Sequence, residues 1–146
     1  MPHWPTDLSL RTLRLQVPGE PAALESTRLQ VLAFLADEGL SARAIYRLEL
    51  VLEEVLMNRL WHAGAAQAGG YTDLTLHTGP GDLLLRFEDT GPAFDPTLVA
   101  QPRLPTSIDD ATPGGLGLLL TRKAVSAWSY ERANGRNCFT LQLARD

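Results

Sequence analysis

Between Ser41 and Ala63 the apolar residues Ile45, Leu48, Val51, Leu52, Val55 and Leu56 recur at three- and four-residue spacings, the period of one helix face. Ser41 is a fitting N-cap, and the Gly64 to Gly70 stretch ends the pattern. A helix with one apolar stripe has to bury it against another layer, and the flanking sequence supplies that layer. Leu8 to Val17 alternates apolar and polar up to Pro18-Gly19, and Tyr71 to Thr78 and Asp82 to Glu88 alternate around Gly79-Pro80-Gly81, the turn chemistry of a hairpin. A second helix is predicted from Glu20 to Asp37, with Pro21 in its first turn and Gly39 behind it. Further on, Gly115 to Ala127 reads as an apolar helix, and Ala127 to Ala133 with Cys138 to Leu143 as a hairpin about Asn134-Gly135. Residues 90 to 113 hold five prolines and read as a long connection with a helical turn near Pro96 to Ala100. Connections longer than about 12 to 15 residues in a compact domain are usually functional lids or disordered segments. The order β-α-α-β-β-loop-α-β-β predicts an α/β (α+β) two-layer sandwich, with a mixed, mostly antiparallel sheet covered by helices on one face.

Composition narrows the function. The 146 residues suit one domain, read here as residues 1–146. With 13 Lys+Arg against 17 Asp+Glu the net charge is −4, which offers no global field for nucleic acid or for anionic membranes. Cys138 has no second cysteine to pair with, so an internal disulfide or a CxxC metal site is excluded and a reducing, cytoplasmic setting is expected. The opening Met-Pro-His-Trp-Pro lacks the pattern of a secretion signal, and no apolar run approaches the roughly 20 residues that span a bilayer.

Three short constellations can carry chemistry. Glu54, Asn58 and His62 recur every four residues and share one stripe of the helix, whereas Glu53 points about 100° away. The amide oxygen of Asn58 is a hard ligand suited to Mg²⁺ beside phosphates, and Glu54 is placed to accept a hydroxyl proton. The same spacing also fits a solvated face with routine contacts one turn apart. Next, Asp89-Thr90-Gly91-Pro92-Ala93-Phe94-Asp95-Pro96 follows a strand directly. An ionised carboxylate only accepts hydrogen bonds, which matches the amino group of adenine, and Gly91 permits a close approach, although Asp-x-Gly is equally an ordinary turn. Last, Gly114-Gly115-Leu116-Gly117-Leu118 opens a helix, where closely spaced glycines expose backbone N–H groups to phosphate oxygens or form a hinge. It is neither a P-loop nor a dinucleotide fingerprint. His3 and His77 have no ligand-like spacing to another His or Cys, which argues against zinc.

Taken together and in this order, the three resemble the GHKL ATP-binding domains. Leu50 to Ala63 looks like the N-box, Asp89 to Pro96 the G1 box and Gly114 to Leu118 the G2 box, and the likeness covers Leu8 to Leu143. Within that superfamily the chain resembles stand-alone anti-sigma regulatory factors, through Phe94-Asp95-Pro96, the Gly-Gly-x-Gly-Leu cluster and the terminal hairpin from Tyr130 to Asn137. The resemblance implies ATP and Mg²⁺ as cofactors, Asn58 as the metal ligand, Glu54 as the catalytic base and Asp89 as the reader of the adenine amino group. It further implies that His62 lies in the nucleotide site and that Thr140 supports Asp89 through a shared water. Gly91, Gly114, Gly115, Leu116, Gly117 and Leu118 would receive base and phosphates, and residues 98–113 would form the lid. The implied activity is a protein serine kinase acting on a STAS-type antagonist and sequestering a sigma factor, with homodimerisation left open. A non-catalytic interaction module with weak or no ATP binding is the alternative, motivated by Ala93 at the second G1 glycine and by bulky Arg59 and Trp61 beside the metal-type stripe.

Overall fold

In the computed structural model, which describes residues 11–62, 70–99 and 115–146, the alternating runs become strands and the three- and four-residue spacings become helices. The strands are β1 (Arg11–Pro18), β2 (Tyr71–Thr78), β3 (Leu83–Asp89), β4 (Ala127–Ala133) and β5 (Arg136–Leu143). The helices are α1 (Ala23–Leu35), α2 (Ala42–His62), the short α3 (Pro96–Val99) and α4 (Gly115–Ala124). Residues 8 to 10, expected to begin the first strand, lie outside the described residues.

Boundaries follow local hydrogen bonding. The Ser41 hydroxyl accepts from the Ala44 N–H at 3.0 Å and caps α2 as its residue type predicts. The segment from Glu20 to Ala22 forms tight turns instead of the first turn of α1, with Ala23 N donating to Glu20 O and Leu24 N to Pro21 O, both at 3.1 Å. The last helix stops at Ala124 and not at Ala127, because Ser126 N turns to donate to Gln142 O of β5 at 2.8 Å. Asn134 and Gly135 both take positive φ, 54° and 73°, as a two-residue hairpin turn requires.

The five strands form one sheet in the order β1-β2-β3-β5-β4. Every pairing among them is antiparallel, so the expected parallel admixture is missing among the described residues. Period two then sorts the side chains. Leu83, Leu85 and Phe87 of β3 face the same layer as their register partners Leu143, Leu141 and Phe139 of β5. These six join Val31 and Leu35 of α1 and Leu48, Val51, Leu52, Val55 and Leu56 of α2 in one core. Fully buried leucines such as Leu48, truncated to alanine, typically cost about 2–5 kcal/mol each. This packing fixes α2 across the sheet and sets α4 against α2. Consequently the end of the central strand β3, the second half of α2 and the start of α4 meet in one place.

Candidate functional site

Asp89 ends β3 on the buried side of the sheet and is only 3% exposed. Its Oδ1 accepts two hydrogen bonds, from Gly91 N and from Asn137 Nδ2, each at 2.9 Å. The first is the local turn that an aspartate two residues before a glycine makes with its own backbone. The second crosses to β5, where register places Asn137 opposite Asp89. Asn137 also donates to Pro92 O at 2.9 Å, and its Oδ1 accepts from Tyr130 Oη at 2.5 Å, Arg132 Nη1 at 3.1 Å and Phe94 N at 3.3 Å. One buried amide therefore holds both the carboxylate and the loop that follows it. Further along, Asp95 Oδ1 accepts from Thr97 N at 2.9 Å and from the Thr97 hydroxyl at 2.6 Å, which starts α3.

The second carboxylate oxygen, Oδ2, faces Arg59 of α2. Arg59 Nη1 stands 2.8 Å from it, with both side chains 3% exposed. The two groups are misaligned for a hydrogen bond and pair as charges only. Arg59 Nη1 and Nη2 and Asp89 Oδ2 are thus buried without a hydrogen-bond partner among the described residues. Burial pushes the Arg59 guanidinium below the ordinary arginine value, and the Asp89 charge opposes that shift. Arginine remains charged even so.

One residue earlier on α2, Asn58 is buried and its Oδ1 has no hydrogen-bond partner among the described residues. Buried amide oxygens are normally satisfied, so this one is an acceptor that the described residues leave open. Glu54, one turn before, reaches toward α4: a Cβ placed on Gly117 would lie 1.9 Å from Glu54 Oε2. With Glu54 in this position there is no room for a side chain on Gly117. Burial, and secondarily the neighbouring charge of Glu53, pushes the Glu54 carboxyl above the usual carboxylate range. Glu53 itself is exposed and lines a separate groove with Leu24, Arg28 and Glu49, as its different angular position on the helix requires.

Glu54, Asn58 and Gly117 are thus gathered at the junction of α2 and α4, and Asp89 and Gly91 at the end of β3. Gly115 opens α4, Leu118 is buried in it and Leu116 is exposed. Gly114, the side chain of His62 and residues 100–113 of the expected lid lie outside the described residues. Thr140, expected to support Asp89 through a shared water, lies on the other face of the sheet. Its position opposite Arg86, three residues from Asn137, gives it the other parity on β5, and its hydroxyl accepts from Arg86 Nε at 3.3 Å on the far face. Asn137 braces Asp89 instead. Sequence reasoning missed Asn137 and the pairing of Arg59, yet both left a signal. Asn137 continues the buried alternation of Phe139 and Leu141, and Arg59 stands three and four residues after Leu56 and Val55 of the apolar stripe.

The fit to Mg²⁺ and nucleotide rests on these atoms. The unpartnered Asn58 Oδ1 is a hard oxygen donor of the kind Mg²⁺ accepts alongside waters and phosphates. Gly115 and Gly117 lie in the first turn of α4, where backbone N–H groups have no partner within the helix and can donate to phosphate oxygens. No group of three or more His, Cys, Asp or Glu suited to a metal occurs among the described residues, so a cation here would lean on phosphate oxygens and water.

Residues 17–143 match the family described as histidine kinase-like ATPase domain. A serine/threonine-protein kinase, BtrW of Bordetella bronchiseptica, is 41% identical over 101 residues, covering 69% of this chain and 71% of that protein. The serine-protein kinase RsbW of Listeria innocua is 30% identical over 112 residues, covering 74% of this chain and 71% of that protein. Among solved structures, the RsbU and RsbW domains of a Mycobacterium tuberculosis protein share the fold at a TM-score of 0.65 and 17% identity, over 92% of this chain and 32% of that one. One chain of the SiaB–SiaC complex of Pseudomonas aeruginosa does so at 0.56 and 15% identity, over 90% and 88%. The chain therefore belongs to the histidine kinase-like ATPase family, in its GHKL anti-sigma kinase type.

Proposed function

We propose that this protein is an ATP-dependent serine kinase of a partner switch, phosphorylating a STAS-type antagonist and sequestering a sigma factor once that antagonist is phosphorylated. The observation that carries the reading is the pairing of Glu54 with Gly117, one helical turn from the unpartnered Asn58 Oδ1. It sets a proton acceptor, a metal-type oxygen and a glycine helix start side by side. The kinase names of BtrW and RsbW support the activity class.

In the proposed reaction Glu54 accepts the proton of the antagonist's serine hydroxyl as that oxygen bonds to the γ-phosphorus and the bond to the departing ADP breaks. The glycines at the start of α4 receive the phosphates, and Asp89 reads the base. Mg²⁺ bound at Asn58 would supply neutralisation of phosphate charge. Phosphoryl transfer asks mainly for positioning and charge stabilisation, which rigid elements such as α2 and the β3 end provide. No helix among the described residues is long and apolar enough to cross a membrane, and the reading places the protein in the cytosol. The net charge of −4 favours control by holding a protein over contact with DNA.

The Arg59–Asp89 pair favours a second reading, a non-catalytic interaction module of the same fold. Titration calorimetry with Mg–ATP separates the two. Binding that loses its magnesium dependence in Asn58→Ala is expected of the kinase; absence of binding at millimolar nucleotide would leave the module.

A further inference from the structure

Asp89 has two carboxylate oxygens and only one is open to a ligand. Oδ1 is saturated by Gly91 N and Asn137 Nδ2, both at 2.9 Å, so a base's amino group can be received only at Oδ2. That oxygen is the one Arg59 Nη1 approaches to 2.8 Å. A guanidinium is a donor-only group, as is the edge of an amino group, and it brings a full charge besides. The position that would read a nucleotide base therefore already contains a cationic competitor supplied by the chain.

We propose that Arg59 is the affinity-setting residue of the nucleotide pocket, an internal occupant of the base-reading position that must leave Asp89 before a nucleotide can seat its base. The inference rests on the nucleotide reading given above and adds a specific obstacle to it. Two features make the occupant displaceable. Among the described residues Arg59 Nη1 and Nη2 and Asp89 Oδ2 are all buried without hydrogen bonds, so the pair lacks the aligned fork that makes arginine–carboxylate contacts strong. Arg59 also borders a small cleft between the end of β1 and α1 whose walls include Glu20, a second carboxylate for a displaced guanidinium. The chain then has two arrangements, Arg59 on Asp89 and Arg59 away, and only the second admits the base. Apparent affinity is reduced by the fraction of molecules in the second arrangement.

The test is titration calorimetry of Mg–ATP into the wild-type chain, Arg59→Ala and Arg59→Gln, with folding of each checked by circular dichroism. Arg59→Ala is expected to bind at least about tenfold more tightly than wild type, as removal of a competitor that occupies most molecules requires. Arg59→Gln, which keeps a neutral donor near Asp89, is expected to fall between them. If Arg59→Ala does not fold, Arg59→Gln alone carries the comparison. Equal affinity in the variants and wild type would overturn the competitor while leaving the nucleotide reading intact. Weaker binding by the variants would also overturn it, making Arg59 a contact to the base. No binding by any of the three at millimolar nucleotide would overturn both readings together.

Discussion

Glu54 of α2 and Gly117 of α4 share a space that holds one carboxylate and no extra carbon, since a Cβ on Gly117 would stand 1.9 Å from Glu54 Oε2 and 2.8 Å from its Cδ. Gly117 lies inside a helix without a positive φ, so backbone freedom is not why glycine is needed. In Gly117→Ala the flexible carboxylate has to swing aside. Alanine in a helix interior gains roughly 0.5–1 kcal/mol over glycine, which offsets the cost of that movement. The expected outcome is a melting temperature unchanged or slightly raised, together with a loss of phosphate transfer of tenfold or more, read from labelled phosphate on the partner. A large drop in melting temperature would show that Glu54 cannot move and that the contact is structural.

Glu54→Gln is expected to spare nucleotide binding and to reduce transfer roughly 100- to 10,000-fold, the usual contribution of a general base. Because burial and the Glu53 charge raise the Glu54 carboxyl above its ordinary value, the wild-type rate should fall with acidification at a pH above the ordinary carboxylate range. Glu53→Gln removes the like charge and should move that acidic limb downward. A limb that stays in place would exclude Glu54 as the titrating group.

The same shift has a consequence for stability. Between the ordinary and the raised value the folded chain holds a proton at Glu54 that the unfolded chain has released. Stability therefore decreases as pH rises through that window. Glu54→Gln removes the penalty, so urea denaturation should find it more stable than wild type at neutral pH. The difference should vanish in acid below the ordinary carboxylate range.

Asp89→Ala strands the buried Arg59 charge, and losing one partner of a buried ion pair typically costs about 3–5 kcal/mol. Adding Arg59→Leu to Asp89→Ala should recover most of that loss, because replacing both charges by apolar groups avoids their desolvation. Denaturant midpoints of the two single variants and the double variant form the cycle. Additive losses would mean that the two charges are not coupled.

Asn137→Ala leaves Asp89, Pro92 O and Tyr130 Oη each short of a partner, at a cost of roughly 1–3 kcal/mol per buried group. Thr140→Ala removes contacts with Arg86 and Cys138 on the far face and should change nucleotide binding little. Calorimetry and melting of both variants distinguish them. Equal effects would restore Thr140 to the site.

Much of the architecture was legible because period is local. Alternation in Tyr71–Thr78 and the stripe from Ile45 to Leu56 each specify an element without knowledge of its neighbours. The Ser41 cap and the Asn134-Gly135 turn are equally local, since each satisfies or bends backbone within a few residues. Proximity across the chain is another matter. Only the β3–β5 register sets Asn137 opposite Asp89, and only α2–α4 packing sets Glu54 against Gly117.

The sequence by itself determined the order of elements, the buried face of each and the residue types available for chemistry, because hydrophobic period, capping and turn preferences act over a few residues. Tertiary structure alone decided which oxygen of Asp89 is occupied and by what. That outcome depends on a strand register 48 residues apart in sequence and on the direction in which a helix presents Arg59 to the end of a strand. Distances of about 3 Å, at which hydrogen bonds and ion pairs are made or missed, are set by packing and not by spacing along the chain.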